Sequence, residues 1–330
     1  MKRLGLSRTR NVRHILVAML LLILCLSTGA SAKQLAVVNK SDNSVSLIDM
    51  ETKQVIATLP TGQGPHELAL SPDGRYAVST DFVGGDSLSV FDLHAVKLAK
   101  RIKLDSLPGP HGIRFLSDQQ VIFTSGKSQQ VGIVDIQRGE IIDRIGTEQN
   151  TSHMLALNES KDFAYVSNIR SNSISKLDVQ ARKKIKDIAT EGMPEAIAYR
   201  KTGKELWYGA NEQGKVLALD ASSNEVLASF DGFKFPYRIL FNHDESIAII
   251  PDFRNHDVRF IDANSKQEIG KLYLGEGAGP QGIELHPEQD IVYLSLNLKN
   301  KVIAIDLKQQ KIIEEYPTGN NPDGIVFVPK

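Results

Sequence analysis

His66, His111, His153 and Glu195 are residues of ligand or acid–base type whose even spacing sets them apart. The same step continues through Tyr237, Gln281 and Asp323, and each of the seven lies 17 to 19 residues after an aspartate that closes an apolar run. Pro65, Pro110, Pro194, Pro236, Pro280 and Pro322 precede six of them, and Ser152 precedes His153. Neutral imidazole ligates Zn, Cu and Fe at about 2 Å, so three histidines and a glutamate at equivalent addresses form a candidate metal set for a divalent ion. The alternative is that the histidines hydrogen-bond loop carbonyls around a solvated opening. Arg238 is the one cation at its address. It suits either bidentate clamping of a carboxylate or phosphate, or a structural ion pair with Glu67 or Glu195.

A second recurring address carries Asn39, Asp81, Ser125, Asn168, Asn211, Asp252 and Asn297. Asn and Asp there close turns through their own side chains. The functional alternative is a hard-cation site, because Glu195, Asn168, Asn211 and Asp252 have the oxygen-rich composition that calcium takes. No GxSxG elbow, HExxH, phosphate-cradling glycine loop or dinucleotide fingerprint is present, so any catalysis is metal-assisted or general acid–base.

The elements that must position these residues are written in a repeat. SVSLID, SLSVFD, QVGIVD, SISKLD, KVLALD, DVRFID and KVIAID end at Asp49, Asp92, Asp135, Asp178, Asp220, Asp262 and Asp306, with steps of 43, 43, 43, 42, 42 and 44. Each unit reads as four short strands by period-2 alternation and β-branched enrichment, for example HELALS, YAVST, SLSVFD and KLAKRIKL around the turn Ser71-Pro72-Asp73-Gly74. Seven such units make an all-β, seven-bladed β-propeller. The C-terminal unit supplies one strand, Asp323 to Val328, and the N-terminus three, from Leu35, from Ser44 and from Gln54. One plus three closes the last blade. These seven residues, six of them preceded by proline, and Arg238 then ring the channel mouth, while the repeat aspartates accept turn hydrogen bonds and Trp207 packs between blades.

With the VxxxD strand, the SPDG turn and Tyr165-Val166-Ser167-Asn168, the chain resembles the YVTN-type seven-bladed propellers, in particular exported YncE-like proteins, over residues 33–330. The resemblance implies the fold and leaves the activity open, because propellers host enzymes, binding modules and scaffolds alike.

Residues 1–32 hold Lys2, Arg3, Arg8, Arg10 and Arg13, an apolar run from Ile15 to Leu26, and Ala30-Ser31-Ala32. That is the pattern of a secretory signal cleaved after Ala32, its apolar run short of the roughly 20 residues that span a bilayer. The 39 Lys+Arg and 39 Asp+Glu of the whole chain become 34 against 39 without it, and the single cysteine, Cys25, leaves with it. A mildly acidic, cysteine-free propeller in the periplasm or outside the cell has no basic run for nucleic acid. Its expected partners are a small molecule or a periplasmic protein, met either as a binding module or as a metal-dependent, lactonase-like hydrolase.

Overall fold

The alternation read from the sequence forms strands throughout residues 33–329, which the structure, a computed structural model, describes; the export signal lies outside them. Among the described residues, 28 strands make seven antiparallel four-stranded sheets. We number the complete units as blades 1 to 6, beginning at Pro65, Pro110, Ser152, Pro194, Pro236 and Pro280. Blade 7 joins Pro322–Val328 to Gln34–Asn39, Ser44–Asp49 and Gln54–Pro60, in that order. Val37 faces Ile325 and Ala36 faces Val326 across this seam. Ring closure leaves only the outer strand of each blade as a free edge.

Burial explains why the inner and outer strands differ in composition. Ser87–Asp92, third in blade 1, is buried along its whole length, because both faces of its sheet lie against neighbouring blades. Lys97–Lys103, outermost in the same blade, alternates exposed residues with half-buried ones and the buried Ile102. Seven apolar clusters fill the seven blade interfaces, such as Leu88, Ile113 and Phe123 between blades 1 and 2. Trp207 packs at the interface of blades 4 and 5, stacked on Phe230 with ring centroids 5.3 Å apart, and its Nε1 donates to Glu205 Oε2 at 2.7 Å.

The repeat aspartates act within the turn that follows each third strand. Asp135 Oδ1 accepts the backbone N–H groups of Gln137 and Arg138, each at 2.9 Å, and Asp49, Asp92, Asp178, Asp220, Asp262 and Asp306 accept turn amides in the same way. Blade 5 departs from the even pattern. Its inner strand shrinks to Leu240–Phe241 plus a bridge from Pro236 to Asp252, because the Asp252 carboxylate takes the amides of Lys234 and Phe235.

Candidate functional site

A bulge at the start of each inner strand aims the site residues. In blade 1 the pairing runs from Pro65 opposite Asp81 directly to Leu68 opposite Ser79, which leaves His66 and Glu67 outside the ladder. Blades 2, 3, 4 and 6 skip the same two positions. Such a bulge turns side chains that would alternate across the sheet toward the channel. The freed amides are satisfied by the second strand, where Thr80 Oγ1 accepts from Glu67 N at 3.1 Å and Thr124 Oγ1 from Gly112 N at 3.0 Å. Glycine after the site residue lets neighbouring inner strands touch. A Cβ on Gly112 would stand 2.8 Å from His153 O, and one on Gly324 2.6 Å from Leu68 N.

The bulges bring His66, His111, His153, Glu195, Tyr237, Arg238, Gln281 and Asp323 to one end of the channel. The three imidazoles follow one another around it, with ring centroids 4.2 Å apart for His66 and His111 and 3.6 Å for His111 and His153. Phe82 covers the first two from the side. Glu195 Oε1 lies 3.6 Å from His153 Nδ1. Asp323 gathers the other side: Oδ2 is 2.9 Å from Lys40 Nζ, accepts from Tyr237 OH at 3.2 Å, and lies 2.5 Å from His66 Nδ1, although the ring N–H does not point at it. Gln281 Oε1 accepts from the same Lys40 at 3.4 Å.

Arg238 does not meet Glu195. Its guanidinium crosses the channel from blade 5 to hydrogen-bond Glu67 of blade 1, and both side chains are buried. The expectation of a solvated rim is therefore corrected: His111 is 1% exposed and Asp323 0%, so the mouth is filled by its own side chains. The carbonyl-bonded role for the histidines is not observed either. Both ring nitrogens of His111 and Nδ1 of His153 are buried without a hydrogen bond, whereas His66 Nδ1 sits against the Asp323 carboxylate.

Burial sets the protonation states. It pushes His111 and His153 well below the ordinary histidine range, with neighbouring cations and imidazoles adding to the effect, so both rings are neutral at pH 7. Burial also raises Glu195 to about 7, against the pull of Arg238. Asp323 goes the other way: burial opposes ionisation, but Lys40 and His66 hold it well below the usual carboxylate range.

The closest set of donors is His66, Glu67 and His111, whose ligand atoms all lie within 4.8 Å of one another. Two rings on one ion at ~2 Å diverge from it, so the tilted rings of His111 and His153, 3.6 Å apart, would have to spread to ligate together, and those of His66 and His111, 4.2 Å apart, by less. His153 and Glu195 flank the set. Glu67 belongs to the site although the sequence reading used it only as a partner for Arg238. The signal for it is present: Glu67 and Arg238 are opposite charges at one address, three blades apart. Lys40 was missed as well, and it is the one cation among the residues that follow the second ring.

Most of the second ring is occupied structurally, whereas both side-chain polar atoms of Asn211 are buried without a hydrogen bond. Asn168 donates to Ser173 and Ser175 and accepts from Ser152, and Asp252 accepts four backbone amides. Of the four residues read as a hard-cation set, Asp252 is thus engaged by backbone amides.

A sequence family described as lactonase, 7-bladed beta-propeller, matches residues 32–225. The chain belongs to this family. Antigen Lp49 of Leptospira interrogans serogroup Icterohaemorrhagiae serovar copenhageni (strain Fiocruz L1-130) is 25% identical over 240 residues, 66% of this chain and 52% of that protein. The chain thus spans about half the length of this curated relative. Two solved structures share the fold. Kuenenia stuttgartiensis hydrazine synthase has a TM-score of 0.72 at 18% identity, covering 81% of this chain and 90% of the other. Dihydro-heme d1 dehydrogenase NirN, in complex with DHE, has a TM-score of 0.68 at 13% identity, covering 88% and 74%. In this lactonase-family propeller the mouth gathers three imidazoles, of which His111 and His153 are held neutral, beside Glu67 and a second carboxyl group, Glu195, raised to about 7.

Proposed function

We propose that this lactonase-family propeller is an exported binding module whose channel mouth holds a divalent transition-metal ion through His66, His111 and Glu67, with His153, Glu195, Tyr237, Arg238, Gln281 and Asp323 lining the same site. The observation that carries the reading is His111, whose ring nitrogens are both buried without a partner, within 4.8 Å of ligand atoms of His66 and Glu67. A buried polar atom left unsatisfied costs about 1–3 kcal/mol, and a metal ion satisfies several at once. Neutral nitrogen donors beside a carboxylate suit Zn, Cu or Ni better than calcium. The export pattern of residues 1–32 supports a periplasmic or extracellular setting, and no helix among the described residues is long and apolar enough to cross a membrane.

Metal analysis tests this directly. Protein purified without chelator or affinity tag is expected to carry close to one equivalent of transition metal, and His111→Ala to carry little. Wild-type protein that stays metal-free after dialysis against Zn, Cu and Ni salts sinks the reading.

A second reading, hydrolysis of lactones, is favoured by the family match together with Glu195, whose carboxyl near 7 suits a general base. A bound ion would supply Lewis-acid polarisation of the ester carbonyl. Glu195 would take a proton from water, and His153 would orient it. Acid release from a panel of γ- and δ-lactones reads this out. Glu195→Gln is expected to lower kcat by about 100-fold or more, the usual contribution of a positioned base.

A further inference from the structure

Beneath the Arg238–Glu67 pair the channel widens into a cavity of about 320 Å³. Two charged residues face it from opposite sides, Arg114 on the inner strand of blade 2 and Glu284 on that of blade 6. They occupy the same address as Ala69, Ala156, Ala198, Leu240 and Val326, so five blades place apolar side chains where these two place charges. A second lobe of about 260 Å³ shares Arg114, Ile197, Ile239 and Leu240 with the first. It extends past Tyr199 and Phe241 toward the ends of the inner strands, away from the histidines. Phe115, Leu70 and Ile325 complete an apolar wall.

The charges in this chamber do not balance one another. Arg114 makes no ion pair among the described residues, and its one hydrogen bond runs from NH1 to the carbonyl of Ile113 at 2.7 Å. Glu284 has no hydrogen bond to another described residue. Glu67, the other carboxylate lining the main cavity, is engaged by Arg238, and Glu245 of the second lobe accepts from Thr202. Burial raises Glu284 to about 8 against the pull of Arg114, so at neutral pH it is a carboxylic acid, a donor rather than a counter-ion. Arg114 and Glu284 are each half-buried, so a ligand from solvent can reach them, and a guanidinium with no anion paired to it is free to take an anionic one.

We infer that this chamber is a binding site, separate from the mouth, for a short-chain hydroxycarboxylate, with its carboxylate on Arg114, its hydroxyl on Glu284 and its methylenes against the apolar wall. The free edge of a planar guanidinium takes a carboxylate bidentately. A cavity of about 320 Å³ stands at the small end of ligand pockets. The inference does not need a metal at the mouth or any hydrolytic activity.

Calorimetric titration of the full propeller with 4-hydroxybutanoate, and with 1,4-butanediol as the uncharged control, tests it. The carboxylate is expected to bind and the diol not to. Arg114→Gln should weaken binding roughly tenfold or more, the cost of a lost charged hydrogen bond, and Arg114→Lys should fall between. Charged groups facing Glu284 are Arg114, Arg238 and Glu67, of which the last two neutralise each other. Ionisation of Glu284 above about 8 should therefore weaken wild-type binding, while Glu284→Gln, folded on a neutral isostere, should bind with a flat profile through that range. His111→Ala should leave every one of these affinities unchanged, which separates failure at the mouth from failure here. Equal binding of diol and carboxylate, no heat from the carboxylate at saturating concentration, or a wild-type profile as flat as that of Glu284→Gln overturns the assignment.

Discussion

At the scale of single residues, the channel is governed by desolvation. His111 and His153 are held neutral by burial, so their ring nitrogens should show no titration near 6.5, where an ordinary histidine changes charge. Nitrogen-15 spectra of histidine-labelled protein check this. Glu195 carries the opposite sign in the stability balance. Its carboxyl stays protonated in the folded chain up to about 7 while the unfolded chain ionises near 4.5, so the folded state loses stability between those values and the penalty is constant above. Glu195→Gln should therefore raise the Tm at pH 8 more than at pH 5 in metal-free protein. The Arg238–Glu67 pair is the stake at the centre. Arg238→Met leaves a buried, unpaired carboxylate, and a loss of about 3–5 kcal/mol in urea unfolding is expected, most of it recovered in the double variant Arg238→Met with Glu67→Leu. Sequence made Arg238 visible as an outlier. Which of two glutamates it meets depends on the diameter of the closed ring, and no local pattern carries that.

At the scale of elements, the bulged start of each inner strand is the device that makes the site. Gly112 shows how little slack it has: an added Cβ collides with backbone of the next blade, which cannot move aside as a flexible side chain would. Gly112→Ala should force the inner strands of blades 2 and 3 apart and cost metal or ligand binding at His111 together with stability, seen as a lowered Tm and lost binding in the same variant. The turn aspartates predict a contrasting, purely structural effect. Asp135→Ala removes two hydrogen bonds to turn amides and should cost about 1–2 kcal/mol with no change at the channel. Strand positions and turns were legible because period-2 alternation and Asp, Asn, Gly and Pro act over a few residues. The bulges were not, since a bulge is an offset in register against the partner strand, and that register is set by pairing between two strands and not by the pattern of either one.

At the scale of the whole molecule, stability rests on seven interfaces and one seam. Each apolar cluster lies between two blades, so no blade buries its own faces alone, and the Pro322–Val328 strand completes the last two interfaces. A chain ending at Asn321 should lose cooperative unfolding and become sensitive to proteases under conditions where the full chain is resistant. The seven-unit count, the four strands per unit and the pairing of the two ends were determined by the sequence, because each follows from a repeat whose period and phase are printed in the chain. So were the addresses of His66, His111, His153, Glu195, Tyr237, Gln281 and Asp323. Tertiary structure decided what those addresses mean. It packed the mouth shut, drew Lys40 and Glu67 into it, tied Arg238 across the channel, and left Arg114 and Glu284 facing each other in a chamber below. Those outcomes depend on residues three blades apart in a closed ring, where distance is fixed by geometry and charge is fixed by burial.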